Sequence, residues 1–166
     1  MDNELELSFA KIELLIGKKD YPAATDLCDS LLKDYRTRAD IWSKRAFVRK
    51  SAGDIVGAIN DTERAVELAP REPCYRWNRG RYCIEAGDLD RAIESLTTAL
   101  QLCEAAGDTY YSEVSYLLRA EAYSRVGRVD NALSDCNHVR DDMTMWIGKY
   151  RVAKTDILKR CREARL

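Results

Sequence analysis

Proline is scarce in this chain, with three in 166 residues, and glycine numbers only eight. That scarcity excludes long disordered linkers of the proline- and glycine-rich kind. No stretch approaches the roughly 20 apolar residues that a membrane-spanning helix needs. The start, Met-Asp-Asn-Glu-Leu-Glu, lacks the basic and apolar segments of a secretory signal. A cytoplasmic protein with no membrane partner is therefore expected. An excess of one charge is also missing: 27 basic residues stand against 28 acidic ones, a net of −1. No strong overall field draws the chain to nucleic acid, and no nucleic-acid partner is expected.

Metal-binding patterns are missing as well. Histidine occurs once, at His138, two residues from Cys136, and none of the six cysteines forms a Cys-x-x-Cys pair. Zinc sites take their ligands from close local pairs, so no metal is expected. The cysteines read as small core residues with free thiols. Neither a glycine-rich phosphate loop nor a nucleophile elbow is present. No cofactor and no enzymatic chemistry are expected. His138 has no nucleophile placed beside it and reads as a surface residue.

What remains is an ordinary soluble balance, 46% hydrophobic and 33% charged, of a length that suits one domain spanning 1–166. Within it a pattern recurs: Gly53-Asp54-Ile55-Val56-Gly57-Ala58-Ile59, Gly87-Asp88-Leu89-Asp90-Arg91-Ala92-Ile93 and Gly127-Arg128-Val129-Asp130-Asn131-Ala132-Leu133, with a weaker copy at Lys19–Thr25. Alanines 24, 58, 92 and 132 mark the same position, spaced 34, 34 and 40 residues apart. A fixed period of this size signals stacked helical hairpins.

The period and its turn resemble the tetratricopeptide-repeat family over nearly the whole chain. The repeats fall near 5–38, 39–72, 73–106 and 113–146. Residues 39–72 match best, through Trp42, Ala46, Gly53, Ala58, Ala65 and Pro70. The fold implied is all-α: a right-handed solenoid of antiparallel helix pairs, about nine helices. They are expected near 5–17, 21–34, 39–52, 55–68, 73–86, 89–105, 111–126 and 129–140, with a capping helix over 147–165. In that last helix Tyr150, Ala153, Ile157 and Cys161 would share a face, with its polar side covering the stack; the alternative for its excess of Lys and Arg is a patch for an acidic partner or nucleic acid. The turn glycines suit a left-handed helix end, and Asp20, Asp54 and Asp88 suit caps of the next helix. The six extra residues at 107–112 read as longer flanking helices; the alternative is a binding loop presenting Tyr110 and Tyr111.

Lys11, Arg45, Arg79 and Arg119 occupy one repeat position. Asp61 follows Arg45 by 16 residues, and Asp135 follows Arg119 by 16. The resemblance implies intra-repeat salt bridges, Arg45 with Asp61 and Arg119 with Asp135. Ser95 and Leu27 stand where the other two acids would be.

The resemblance also implies that first helices line a concave face that contacts partners. Carried over by register, the contact residues are Phe9 and Glu13; Ser43, Phe47 and Lys50; Trp77, Arg81 and Glu85; Leu117, Glu121 and Arg125. Phe47, Trp77 and Leu117 would form an apolar centre within a charged rim. Trp42 and Trp146 are expected in the core. The positions of the family's chaperone-tail clamp hold Phe9, Glu13, Lys44, Cys74 and Asn78 in one frame and Ser43, Phe47, Asn78, Val114 and Leu118 in the other. Neither set suits that ligand.

The functional expectation is a binding module for a protein or peptide. The alternative is a bacterial immunity protein or secretion chaperone holding one toxin or effector. A third reading is self-assembly into a homo-oligomer.

Overall fold

The computed structural model describes residues 2–165. Its contacts gather into two compact units, Met1–Pro70 and Arg71–Leu166. The first holds α1 (Asp2–Gly17), α2 (Tyr21–Asp34), α3 (Ala39–Ser51) and α4 (Ile55–Leu68). In it α1 packs on α2 and α3, α2 on α3, and α3 on α4. The second holds α5 (Pro73–Ala86), α6 (Leu89–Ala106), α7 (Thr109–Arg125), α8 (Val129–Cys136), β1 (Thr144–Ile147), β2 (Tyr150–Ala153) and α9 (Lys154–Glu163). Here each helix from α5 to α9 packs on the next, and α7 also touches α5 and α9. The described residues thus form an all-α helical repeat carrying one short β-hairpin.

The turns explain why the helices end where they do. Gly53, Gly87 and Gly127 take φ of 91°, 85° and 78°, a region that costs other residues about 1–2 kcal/mol. The first turn has no glycine, and Lys19 takes the left-handed position itself, at φ 60°. The aspartate that follows caps the next helix: Asp20 accepts from Ala23 N, Asp54 from Gly57 N and Asp88 from Arg91 N. Asp108 does the same for α7, accepting from Tyr111 N. The six extra residues therefore lengthen α6 and α7 to 18 and 17 residues around a two-residue turn.

Small residues let paired helices approach. Ala24, Ala58, Ala92 and Ala132 are all fully buried. A Cβ on Gly80 would lie 2.6 Å from Leu96 Cγ, so α5 and α6 close onto that glycine. Five of the six thiols are buried, Cys74 is half-buried, and all are free.

Arg45 Nε and a terminal nitrogen donate to Asp61 at 2.9 and 2.7 Å, and its other terminal nitrogen reaches Asp29 at 2.5 Å. Its guanidinium lies 4.6 Å from the Trp42 ring. Burial alone would lower the Arg45 pKa, but the hydrogen bonds to Asp61 and Asp29 hold it above its usual value. Arg119 repeats the two-pronged contact, donating to both oxygens of Asp135 at 2.8 Å. In the hairpin between them Arg79 Nε donates to Ser95 Oγ at 2.7 Å, so a neutral hydroxyl replaces the carboxylate.

Three sequence expectations fail after residue 136. The second helix of the last repeat ends at Cys136 and not near 140, because Asn137, His138 and Val139 close tighter turns onto Ser134, Asp135 and Cys136. The segment expected as one capping helix begins instead as the β1–β2 hairpin, paired from Thr144↔Ala153 to Ile147↔Tyr150 around Gly148-Lys149. Tyr150 and Ala153 are therefore strand residues; only Ile157 and Cys161 share the buried face of α9. Physically, Thr-Met-Trp-Ile and Tyr-Arg-Val-Ala are rich in β-branched and aromatic residues, and Gly148 supplies a positive φ of 55° at the turn. Trp146, expected in the core, is 66% exposed.

Candidate functional site

The first unit presents α1 and α3. Phe9 is half-buried against the core, and Lys44 Nζ lies 5.4 Å from its ring centroid. Lys44 also pairs with Glu13 at 2.5 Å. Ser43 and Lys50 are half-buried, and Phe47 is exposed. A cleft of about 290 Å³ lies beside Phe9, closed by Arg38 and Asp40. The hydrogen bonds from Arg38 hold the Asp40 carboxyl below the usual carboxylate range. This unit therefore offers a mixed-charge surface around two phenylalanines.

The second unit is richer. Trp77, Arg81 and Glu85 lie four residues apart along α5, so they share one stripe. The Arg81 guanidinium stacks 4.8 Å from the Trp77 ring. Trp77 meets Tyr111 of α7 edge-on at 5.6 Å, and Tyr111 meets Tyr110 at 5.2 Å. The result is a row of one cation and three rings, with Tyr110 exposed at its end. Trp77 Nε1 and Arg81 Nε are buried donors without an acceptor, and the Ser115 hydroxyl on α7 is likewise unpartnered. Burial pushes the Tyr111 phenol up, so it stays neutral as a donor.

Two of the expected contact residues belong elsewhere. Leu117 is fully buried, because α7 packs on α5, α6, α8 and α9, and it is a core residue rather than part of an apolar contact centre. Glu121 is 3% exposed and bonded to Arg160 of α9 at 3.0 Å, so it anchors α9. Arg125 is exposed, and its guanidinium donates to the Tyr150 hydroxyl at 3.2 Å.

The hairpin explains this rearrangement. β1 packs on α5, and β2 on α7 and α9. A Cβ on Gly148 would stand 2.7 Å from Glu85 Oε1, so the turn rests on that end of the α5 stripe. The hairpin thus rests on Glu85 and touches the exposed Arg125, while Trp77, Tyr111 and Tyr110 lie toward the other end. An open cleft of about 390 Å³ remains among Glu121, Arg125, Tyr150 and Arg160. Tyr150 is expected from sequence on a capping-helix face and Arg160 in the same helix, neither of them at a contact site; the alternation around Gly148-Lys149 was the available signal.

The tetratricopeptide-repeat family model matches residues 75–105, which span α5 and most of α6. Solved structures of the same kind superpose on much of the chain. One is the TPR domain of Sgt2 from Aspergillus fumigatus, with a TM-score of 0.66 and 18% identity over 76% of this chain and 82% of that one. Residues 75–105 match a tetratricopeptide repeat, and the described residues share the fold of tetratricopeptide-repeat structures. Other similar structures include PcrH in complex with the chaperone-binding region of PopD (TM-score 0.67, 16% identity, 76% of this chain and 96% of that one). The type III secretion translocator chaperone SycD of Yersinia enterocolitica gives a TM-score of 0.63 and 16% identity over 76% and 88%. At such identities the likeness is one of fold. Among curated proteins none matches by sequence. Within the tetratricopeptide architecture the present site is the Arg81–Trp77–Tyr111–Tyr110 row, bounded at one end by a β-hairpin.

Proposed function

We propose that this chain binds a protein or peptide partner through the α5–α7 row, without catalysing a reaction. The observation that carries the reading is the row itself: the Arg81 guanidinium over the Trp77 ring, Trp77 edge-on to Tyr111, and Tyr110 exposed at the end. A peptide laid along this row brings apolar side chains to the exposed Tyr110 ring and to the neighbouring Trp77. Aromatic and arginine anchors are also the side chains that dominate protein interfaces. The similar structures of PcrH with the chaperone-binding region of PopD and of the translocator chaperone SycD support this reading.

The test is capture from native lysate by wild-type protein, Trp77→Ala, Tyr110→Ala and, as a control, Val56→Ala on the exposed side of α4. The expected result is one partner held by wild type and Val56→Ala and lost by the other two. Equal capture by all four overturns the assignment. A chaperone or immunity role is the narrower reading; it requires one cognate protein at 1:1 stoichiometry, which light scattering of the captured complex measures.

A further inference from the structure

The hairpin has an inward and an outward side. Ile147 and Val152 are buried, Met145 is half-buried, and Tyr150 reaches Arg125. The alternate residues Thr144, Trp146 and Arg151 are exposed, and a strand places alternate residues on one face. Trp146 stands directly opposite Arg151, and Lys149 lies in the turn. The inward residues hold the hairpin in place, and the Trp146 indole stays 66% exposed on the outer side.

Charge is concentrated here too. Residues 149–165 contain seven Lys/Arg and two acids, a local net of +5 in a chain of net −1. Lys154, Arg160 and Arg165 are engaged by Asp141, Glu121 and Asp130. Arg151 is held only by Asp156, about half exposed, and Lys149 forms no ion pair among the described residues. Lys159 lies 4.0 Å from Glu163, so among the described residues the cations of this segment with no ion pair are Arg162 on α9 and Lys149, which lies in the turn near Trp146.

We propose that the outward face of this hairpin, Trp146 flanked by Lys149 and Arg151, docks an acidic surface of a partner protein. A buried tryptophan inside a rim of opposite charge is the pattern of an interface hot spot. The near-neutral whole chain disfavours an extended polyanion and leaves a discrete acidic patch as the fitting occupant. This surface is separate from the α5–α7 row and does not rest on that reading.

Photo-crosslinking of the full chain tests it. Thr144→p-benzoylphenylalanine reports the hairpin face with Trp146 intact, and Tyr110→p-benzoylphenylalanine reports the row. The expected result from position 144 is a protein adduct mapping to an Asp/Glu-rich surface. Its apparent affinity should fall roughly 30-fold with Trp146→Ala and about tenfold with Lys149→Glu/Arg151→Glu, and salt should weaken it. Circular dichroism confirms that each variant folds. No adduct from position 144, an adduct indifferent to both variants, or a crosslink to nucleic acid, to a second copy or to a surface without acidic excess overturns the proposal. Loss confined to the position 110 adduct removes the row and leaves the hairpin face standing.

Discussion

Arg45 and Asp61 join the two helices of one hairpin through a two-pronged contact that solvent hardly reaches: their side chains are 14% and 3% exposed. Removing one partner leaves a shielded charge uncompensated, which costs about 3–5 kcal/mol. Asp61→Ala should lower stability by at least about 3 kcal/mol in urea unfolding. Ser95→Ala, which removes a hydroxyl acceptor, should cost only about 1 kcal/mol. Equal losses would show that the charge on Asp61 contributes nothing beyond a hydrogen bond.

Gly80 and Gly87 should fail for different reasons. Gly80→Ala pushes a methyl group into Leu96, and overpacking of this kind costs about 1–3 kcal/mol. Gly87→Ala meets open space but must hold φ near 85°, a cost of about 1–2 kcal/mol. Trimming Leu96 in a Leu96→Ala background should rescue only the first. Thermal melts of the single and double variants read this directly.

The thiols give an alkaline test. Burial pushes Cys28 up to about 12 and Cys136 to about 11. A thiol raised in the folded state favours folding fully below its unfolded value near 9 and loses that contribution as pH rises toward the folded value. Stability should therefore fall from pH 9 upward, and Cys28→Ala should flatten the slope. Under native conditions a thiol reagent should label Cys74 first; prior labelling of Cys28 would contradict the packing.

At the acid end, the backbone and side chain of Arg140 donate to Glu113, and Lys154 donates to Asp141; both carboxyls are held below their usual range. A depressed carboxyl contributes stability above its unfolded value and loses it as pH falls through the folded one. Melting temperature should hold steady from pH 7 to about 5 and drop below about 4. Glu113→Gln should shrink that drop. An unchanged acid limb would remove this contact from the account.

The repeats were legible because each rule acted locally. A left-handed turn residue, a capping aspartate and a buried alanine recur at fixed spacing, and the sixteen-residue interval from Arg45 to Asp61 is also the interval of their ion pair. Lys19 shows the limit: the turn forms there without the glycine that announces it elsewhere. Beyond Cys136 helical spacing and local structure part ways. Tyr150, Ala153, Ile157 and Cys161 fit a helix by spacing, but the alternation of Met145, Ile147 and Val152 decided the local structure. The contact face was misjudged for the same reason. Leu117 and Glu121 are buried positions of a first helix, and nothing in their own neighbourhood signals that Arg160 of α9, 39 residues on, bonds to Glu121.

The hairpin changes how the second unit comes apart. A stack of helical pairs ordinarily has only nearest-neighbour ties, so it can fray from one side a pair at a time. Here one short ribbon rests on α5 with its first strand and on α7 and α9 with its second. Separating α9 from the rest drags at α5 as well. The ribbon works like a clasp across several pages, making stepwise loosening of Arg71–Leu166 give way to a single cooperative event.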